Sequence, residues 1–328
     1  MTKQLLLWIA AAAAALPAAA QVKITPGPDK ISVEINGKPF TDFYVAGGDV
    51  TKPYLHPLRT ASGVYVTRMW PMEKVAEEAS IAKPDHQHQR GVWFAHDSVI
   101  AHGVKLDFWN NEASYTTPER GKIVLDKLGH VTSGKNKGTI AATFNWTDLA
   151  GRKVLTESRV MTFYADPKLR IVDFDISLTP VETVTFGDGK DGVFGIRMRP
   201  VLQEAGGTGH IVTANGLEGE KQAWGKPANW CDYWGEVNGE KVGVAILDNP
   251  QNPRHPVRWH VRGYGLFAAN PFGLSVFTND KSQDGSLTVQ PGQTLRFRYR
   301  VIVHSGDVKT AGIAGLWDRY AAATPAGK

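Results

Sequence analysis

The sequence predicts an all-β protein, a large antiparallel β-sandwich closed by one short C-terminal helix. Three observations carry this. Alternating apolar and polar segments recur along the chain between Gly, Pro and Asn turn signals. The 34 glycines and ten tryptophans suit tight turns around an aromatic-rich core or cleft. A single cysteine, Cys231, leaves no intramolecular disulfide, so burial must hold the fold together.

The first twenty residues read as a secretory signal: Lys3, an apolar run from Leu5 to Ala15, and small residues before Gln21. The mature chain of about 308 residues is expected to form one domain, 21–328, in the periplasm or outside the cell. No later run approaches the roughly 20 apolar residues of a membrane helix, so no membrane span is expected after signal removal. Net charge is +5, with basic residues scattered rather than clustered, which argues against nucleic acid as a partner.

In chain order, Lys23 to Ile35 alternates as a strand and meets Asn36-Gly37, a hairpin signal, before Pro39 to Val45. Residues 64–68 follow as a strand, and 71–83 as a polar loop or short helical turn. Further strands are expected at 121–129, 138–147, 153–165, 169–180, 193–203, 240–248, 256–262, 273–278 and 294–304. In 169–180, Asp173 and Asp175 share a face with Ile171, which fits either a solvated face or a groove. The helix is expected at Ala311 to Ala322, with no repeat or linker elsewhere.

The chemistry concentrates in four stretches. If Asp85 to Arg90 is extended, His86, His88 and Arg90 project from one face beside Trp93, Phe94 and Trp109. Such a surface can exchange protons near neutral pH and hold sugar oxygens. His-x-His also presents two ligands to a metal, with His96, Asp107, Glu112, His255 or His260 as a third. The metal reading ranks below the metal-free one, and no cofactor is assigned. The Gly-rich stretch 186–197 contains Asp191, either the tip of an acidic hairpin or the carboxylate that sugar chemistry needs. Residues 218–235 hold Glu220, Trp224, Lys226, Trp230 and Asp232, with three tryptophans and a tyrosine in eleven residues, and read as a ligand wall. Cys231 lacks a protease-like setting and is expected to be structural. Finally, 252–265 places Arg254 and His255 between prolines and puts Arg258, His260 and Arg262 on one strand face.

These motifs together, Tyr54-Leu55-His56-Pro57-Leu58, Asp85-His86-Gln87-His88-Gln89-Arg90-Gly91-Val92-Trp93-Phe94, Asp107-Phe108-Trp109, Phe186-Gly187-Asp188, Trp230-Cys231-Asp232-Tyr233 and Asn252-Pro253-Arg254-His255-Pro256 through Asn270-Pro271-Phe272-Gly273, resemble the bacterial DUF6807 proteins over essentially the whole mature chain. The chain departs from that pattern at Gln87 and Gln89, where proline and a third histidine are expected. A methane-oxygenase label has been attached to the family, but a subunit of that kind spans the membrane and this chain shows no such span. The layout is also similar to the galactose-mutarotase-like supersandwich of sugar epimerases, polysaccharide lyases and some glycosidases, which implies a carbohydrate substrate.

The reading that follows is an exported enzyme that cleaves a sugar or glycoside, by hydrolysis or β-elimination, or epimerises it. His86, His88, Asp191, Glu220, Asp232 and His255 are its candidate acid/base groups. Arg90, Trp93, Trp109, Trp224, Lys226, Trp230, Arg254 and His260 are its candidate substrate contacts. A non-catalytic glycan-binding protein and a metal-dependent hydrolase or oxidoreductase are the alternatives. The sugar, its linkage and the oligomeric state lie beyond the sequence.

Overall fold

The computed structural model describes residues 21–79 and 85–323, so the expected signal and Pro84 lie outside the described residues. Two eight-stranded sheets pack face to face, with a four-stranded sheet at one end. The first sheet runs Val22–Pro26, Lys30–Ile35, Lys38–Tyr44, Tyr54–His56, Val92–His96, Gly192–Arg197, Leu266–Asn270, Arg258–Val261. The second runs His210–Thr213, Trp230–Val237, Glu240–Asp248, Leu295–Ser305, Arg170–Pro180, Lys153–Tyr164, Lys137–Thr147, Lys122–Thr132. All the strand pairings within both sheets are antiparallel.

Period-2 alternation explains the core. Ile31, Val33 and Ile35 all point inward, as do Val172, Phe174, Ile176 and Leu178 on the facing sheet. Aromatic rings interlock across the gap: Phe40 meets Phe163, Phe43 meets Phe144, Phe94 meets Trp146 and Phe297, and Phe194 meets Phe174 and Tyr299, with centroids 4.8–6.2 Å apart. Each ring so buried contributes roughly 2–3 kcal/mol from the water it leaves. Asp173 and Asp175 face the other way. Arg300 and Arg296 on the paired strand grip them with two-pronged contacts, so the expected acidic face is a ladder of cross-strand ion pairs.

The helix Ile313–Ala322 lies on the outer face of the second sheet, where Ile313 and Tyr320 cover Trp230, Ala245, Leu247 and Ile302. The hairpin at Asn36-Gly37 forms as expected, both residues taking the positive φ that a type I′ turn requires. Several expectations fail. Residues 64–68 contribute only isolated bridges. The strand expected at 193–203 ends at Arg197, and a 3-10 turn follows at Pro200–Leu202, since Pro200 cannot donate to a ladder. Leu274–Thr278 is a short helix and not a strand, because Asp188 accepts the Ser275 N–H and turns the chain there.

Asp232 and His304 meet at 2.8 Å beneath the C-terminal segment, both fully buried. Burial opposes the charged imidazolium, but the Asp232 charge and hydrogen bond outweigh it and raise His304 above its ordinary 6.5. A raised histidine gives stability that is complete below pH 6.5 and fades as pH climbs through the folded value. Burial also raises Asp232 itself, which offsets part of this gain, but Asp232→Asn strands the buried imidazole and is therefore expected to unfold more easily than the wild type at pH 6. The gap should narrow by pH 9 in urea titrations.

Candidate functional site

One face of the first sheet is spent on the core. Across the other, Trp93 pairs with Gly195, Gly195 with Ala268, and Ala268 with His260, so an indole and an imidazole flank two small residues. Only glycine fits at 195, since a Cβ there would lie 2.7 Å from Trp93 and 2.8 Å from Trp109. Those two indoles are fully buried and meet edge to face at 4.8 Å, so they form the floor of the face.

The stretch expected to be extended at 85–90 is a turn, closed by the Gln89 N–H on the His86 carbonyl. Long-range contacts make it so. Buried Arg68 donates to the carbonyls of Asp85, His86 and Gln89 and to the Asp85 carboxylate, while Arg197 donates to Asp85 and to the Gln89 side chain. His86 takes a left-handed backbone, φ +47°, which only such bracing would hold in a non-glycine residue. The turn still brings the two imidazoles together, edge to face at 5.7 Å.

Their settings differ. His86 is exposed, its Nδ1 lies 2.5 Å from Asp85 Oδ2, and its ring stacks on Tyr264 at 5.1 Å with the planes 4° apart. Among the described residues Nε2 has no protein partner. The hydrogen bond to His86, together with Arg197 and Arg68, holds the Asp85 carboxyl well below the usual carboxylate range. His88 is buried against Tyr115, with Nδ1 2.9 Å from the phenol oxygen. Burial, with the charges of Lys52, His86 and Arg68, pushes His88 down to about 2, so it is a neutral ring at physiological pH.

Beyond Tyr264, Arg262 lies over that ring at 5.6 Å and makes a 2.6 Å charge contact with Glu220. His260 Nε2 stands 3.9 Å from Asp191 Oδ1, and burial lowers His260 to about 4. Trp224, half-buried, meets Phe277 at 5.3 Å and His260 at 6.4 Å. On the outer face of the first sheet, His86 and His88 stand with Tyr264 and the Arg262–Glu220 pair at one end, while Asp191, His260 and Trp224 cluster further along, towards Asn270.

The remaining expected groups lie elsewhere. Arg90, expected to bind substrate, is buried and forked onto Glu112 at 2.6 and 2.7 Å, with Asp49 at 3.0 Å, so it braces the loop after Trp109. Trp93 and Trp109 are floor and not an open wall. Arg254 is spent on the carbonyls of Pro271, Gly285 and Ser286, just past the end of Leu266–Asn270, whereas Tyr264 and His86 sit just before its start. The expected meeting of His86, His88 and Arg254 therefore does not occur; about 20 Å of strand separates them. His255 bonds Asp248 and stacks on Trp317, at the same far end. Asp232 and Trp230 belong to the second sheet, and Lys226 is exposed with its backbone bridging Ala223 and Trp259.

Sequence reasoning missed Asp85, Tyr115, Tyr264, Arg68 and Arg197. An Asp-His dipeptide and Tyr264 between two glycines were the only local signals. Among the described residues no group of three His, Cys, Asp or Glu side chains could hold a metal ion, and no helix is long and apolar enough to cross a membrane.

Fold and site together define a β-sandwich protein with a histidine/carboxylate cluster on the outer face of one sheet. The chain belongs to DUF6807, a family of unknown function whose pattern matches residues 30–318. No curated protein matches the sequence. Among solved structures it is similar to a putative aldose 1-epimerase from Klebsiella pneumoniae, at 10% identity over 94% of this chain and 91% of that one, TM-score 0.46. It is also similar to a galactose mutarotase related enzyme from Lactobacillus acidophilus, at 9% identity over 87% and 97%, TM-score 0.35. An α-galactosidase from Geobacillus stearothermophilus matches at 10% identity and TM-score 0.37, over 88% of this chain and 40% of that one.

Because Arg68 and Arg197 share Asp85, Arg197→Leu should strand a buried charge network and cost roughly 3 kcal/mol or more. It should also release the His86 ring, seen as loss of the Tyr264 ring-current shift on His86 in proton NMR. Gly195→Ala should cost about 1–3 kcal/mol by overpacking Trp93 and Trp109, read by thermal melting.

Proposed function

We propose that this is an exported carbohydrate-active enzyme that works by acid–base catalysis on the outer face of the first sheet. The observation that carries the reading is the Asp85–His86 pair. A carboxylate fixes one ring nitrogen while the other stays open, the arrangement that orients an imidazole for proton exchange. Its ring is held flat on Tyr264, with Tyr115 against the neighbouring His88, and such faces pack against the apolar sides of sugar rings. His88 and His260, neutral through burial, suit hydrogen bonding to hydroxyls rather than charge pairing. Glu220, held by Arg262 across the Tyr264 ring, is the carboxylate on the His86 side, and Asp191, 3.9 Å from His260, is the second carboxylate of the site, further along the same face. Bond cleavage is favoured over epimerisation, because an exported protein meets polymers more often than free monosaccharides.

Purified protein incubated with a panel of glycosides, read by product mass, tests this. A gain of one water marks hydrolysis, and no gain marks elimination or isomerisation. His86→Ala is expected to lower turnover at least 100-fold with glycoside binding nearly unchanged. Retained turnover in that variant would overturn the assignment of His86. Binding of glycans by the wild type with no product in any case would favour a glycan-binding protein, for which the aromatic faces alone suffice. N-terminal sequencing of exported protein is expected to begin at Gln21.

A further inference from the structure

Behind Asp191 lies a second pair of titratable groups, at the seam between strands Val92–His96 and Gly192–Arg197. His96 is fully buried, and its Nε2 stands 2.8 Å from the Gly187 carbonyl. A carbonyl only accepts, so Nε2 must carry the hydrogen. In the neutral ring Nδ1 is then a bare lone pair, and it has no hydrogen-bond partner. The group facing it, at 3.7 Å, is Asp97 Oδ1, also buried and also without a hydrogen-bond partner. Two acceptors confronting each other in a dry site are unfavourable, and one proton between them removes the conflict. Closing the gap by about 1 Å makes that contact a hydrogen bond.

The chain is built closely around this spot. A Cβ at Gly189 would collide with the Asp97 carboxylate, and one at Gly192 would collide with His96 Nδ1. Asp97 and Asp191 are tied to each other through the backbone: the Asp97 N–H donates to the Asp191 carbonyl at 2.9 Å, and Asp97 Oδ2 faces the Asp191 N–H at 3.4 Å.

We propose that Asp97 carries a proton directed at His96 Nδ1 and, in that form, is the positioning residue that seats Asp191 beside His260. This rests on the reading of Asp191 as a site carboxylate. Burial, reinforced by the charges of Asp191 and Asp107 and opposed by Lys105, pushes Asp97 up to about 7. Burial takes His96 down to about 4, so the proton belongs to the carboxyl. Besides His96, the groups that face Asp97 are Asp191 from the Gly-rich loop, with Lys190 paired to it at 2.8 Å, and Asp107 and Lys105 from the hairpin opposite. Ionised, Asp97 would confront both a lone pair and the Asp191 carboxylate, and the loop bearing Asp191 would be driven off.

The sign is fixed by where the proton sits. The folded chain keeps it to about pH 7 and the unfolded chain releases it near 3.8. Stability drawn from it is full below 3.8 and falls as pH climbs to about 7. Carboxyl carbon-13 NMR of the wild type, with Asp97 assigned by its absence in Asp97→Asn, tests this without any substrate. A midpoint near 7, with the His96 Nδ1 nitrogen shift moving in step, is the expected result. An Asp97 carboxyl that titrates near 4 overturns the proposal while leaving the proposed function untouched. Asp97→Asn keeps a donor for His96, so it should gain on the wild type in unfolding free energy between pH 4 and 7 and extend glycoside turnover to higher pH. Asp97→Leu should lose turnover across the whole pH range. If no glycoside is turned over, the titration still decides the role of Asp97.

Discussion

The candidate site depends on two buried guanidiniums closing on one carboxylate. Arg68 and Arg197 lie close enough that, after burial, the neighbouring charge is what lowers Arg68 most, to about 9. Such a pair is tolerable only if an anion and several carbonyls are brought to it, and the turn from Asp85 to Gln89 supplies both. The cost of burying like charges is offset by ordering this turn. His86 then has no choice of position: its backbone is left-handed, its Nδ1 is tied to Asp85 and its ring lies on Tyr264, which also faces Arg197 at 4.7 Å. Chemistry at the surface is set by electrostatics underneath.

Burial sorts the other histidines. His56, His88, His96 and His260 are all taken below their ordinary value by loss of water, and no fully buried carboxylate is paired with them strongly enough to reverse it. His304 has Asp232 fully buried beside it and moves the opposite way. The same residue type thus serves as neutral hydrogen-bonding ring, carboxylate-held exposed ring and half of a buried pair. Lys52 obeys the same rule. Burial brings it down to about 7, and it is held by the Trp109 carbonyl at 2.9 Å and Asn111 at 2.6 Å, supporting the floor from behind.

Much of the fold was legible because strand periodicity is local. The runs near 138–147, 153–165, 169–180 and 294–304 alternate in sequence and pair in the second sheet, and 240–248 was legible as a continuous apolar run. The strands of the site sheet were harder to read. Val92–His96, Gly192–Arg197 and Leu266–Asn270 are buried on both faces, so the alternation that identifies a half-buried strand is absent, and neither the first nor the last was anticipated. The turn at 85–90 was misread for a related reason: nothing within six residues shows that Arg68 and Arg197, 17 and 112 positions from Asp85, will claim its oxygens.

The sequence by itself determined an antiparallel sandwich and singled out the His86-x-His88 motif, Asp191 and His260 as candidate groups, because alternation and residue chemistry are written locally. Only the tertiary structure decided which groups meet. It sent Arg90 to Glu112, Arg254 and His255 to the far end of a strand, and Asp232 to the other sheet, while bringing Tyr264 under His86 and Asp97 behind Asp191. A guanidinium or carboxylate binds whichever partner the fold leaves without water, and that is fixed by sheet order and burial, not by spacing along the chain.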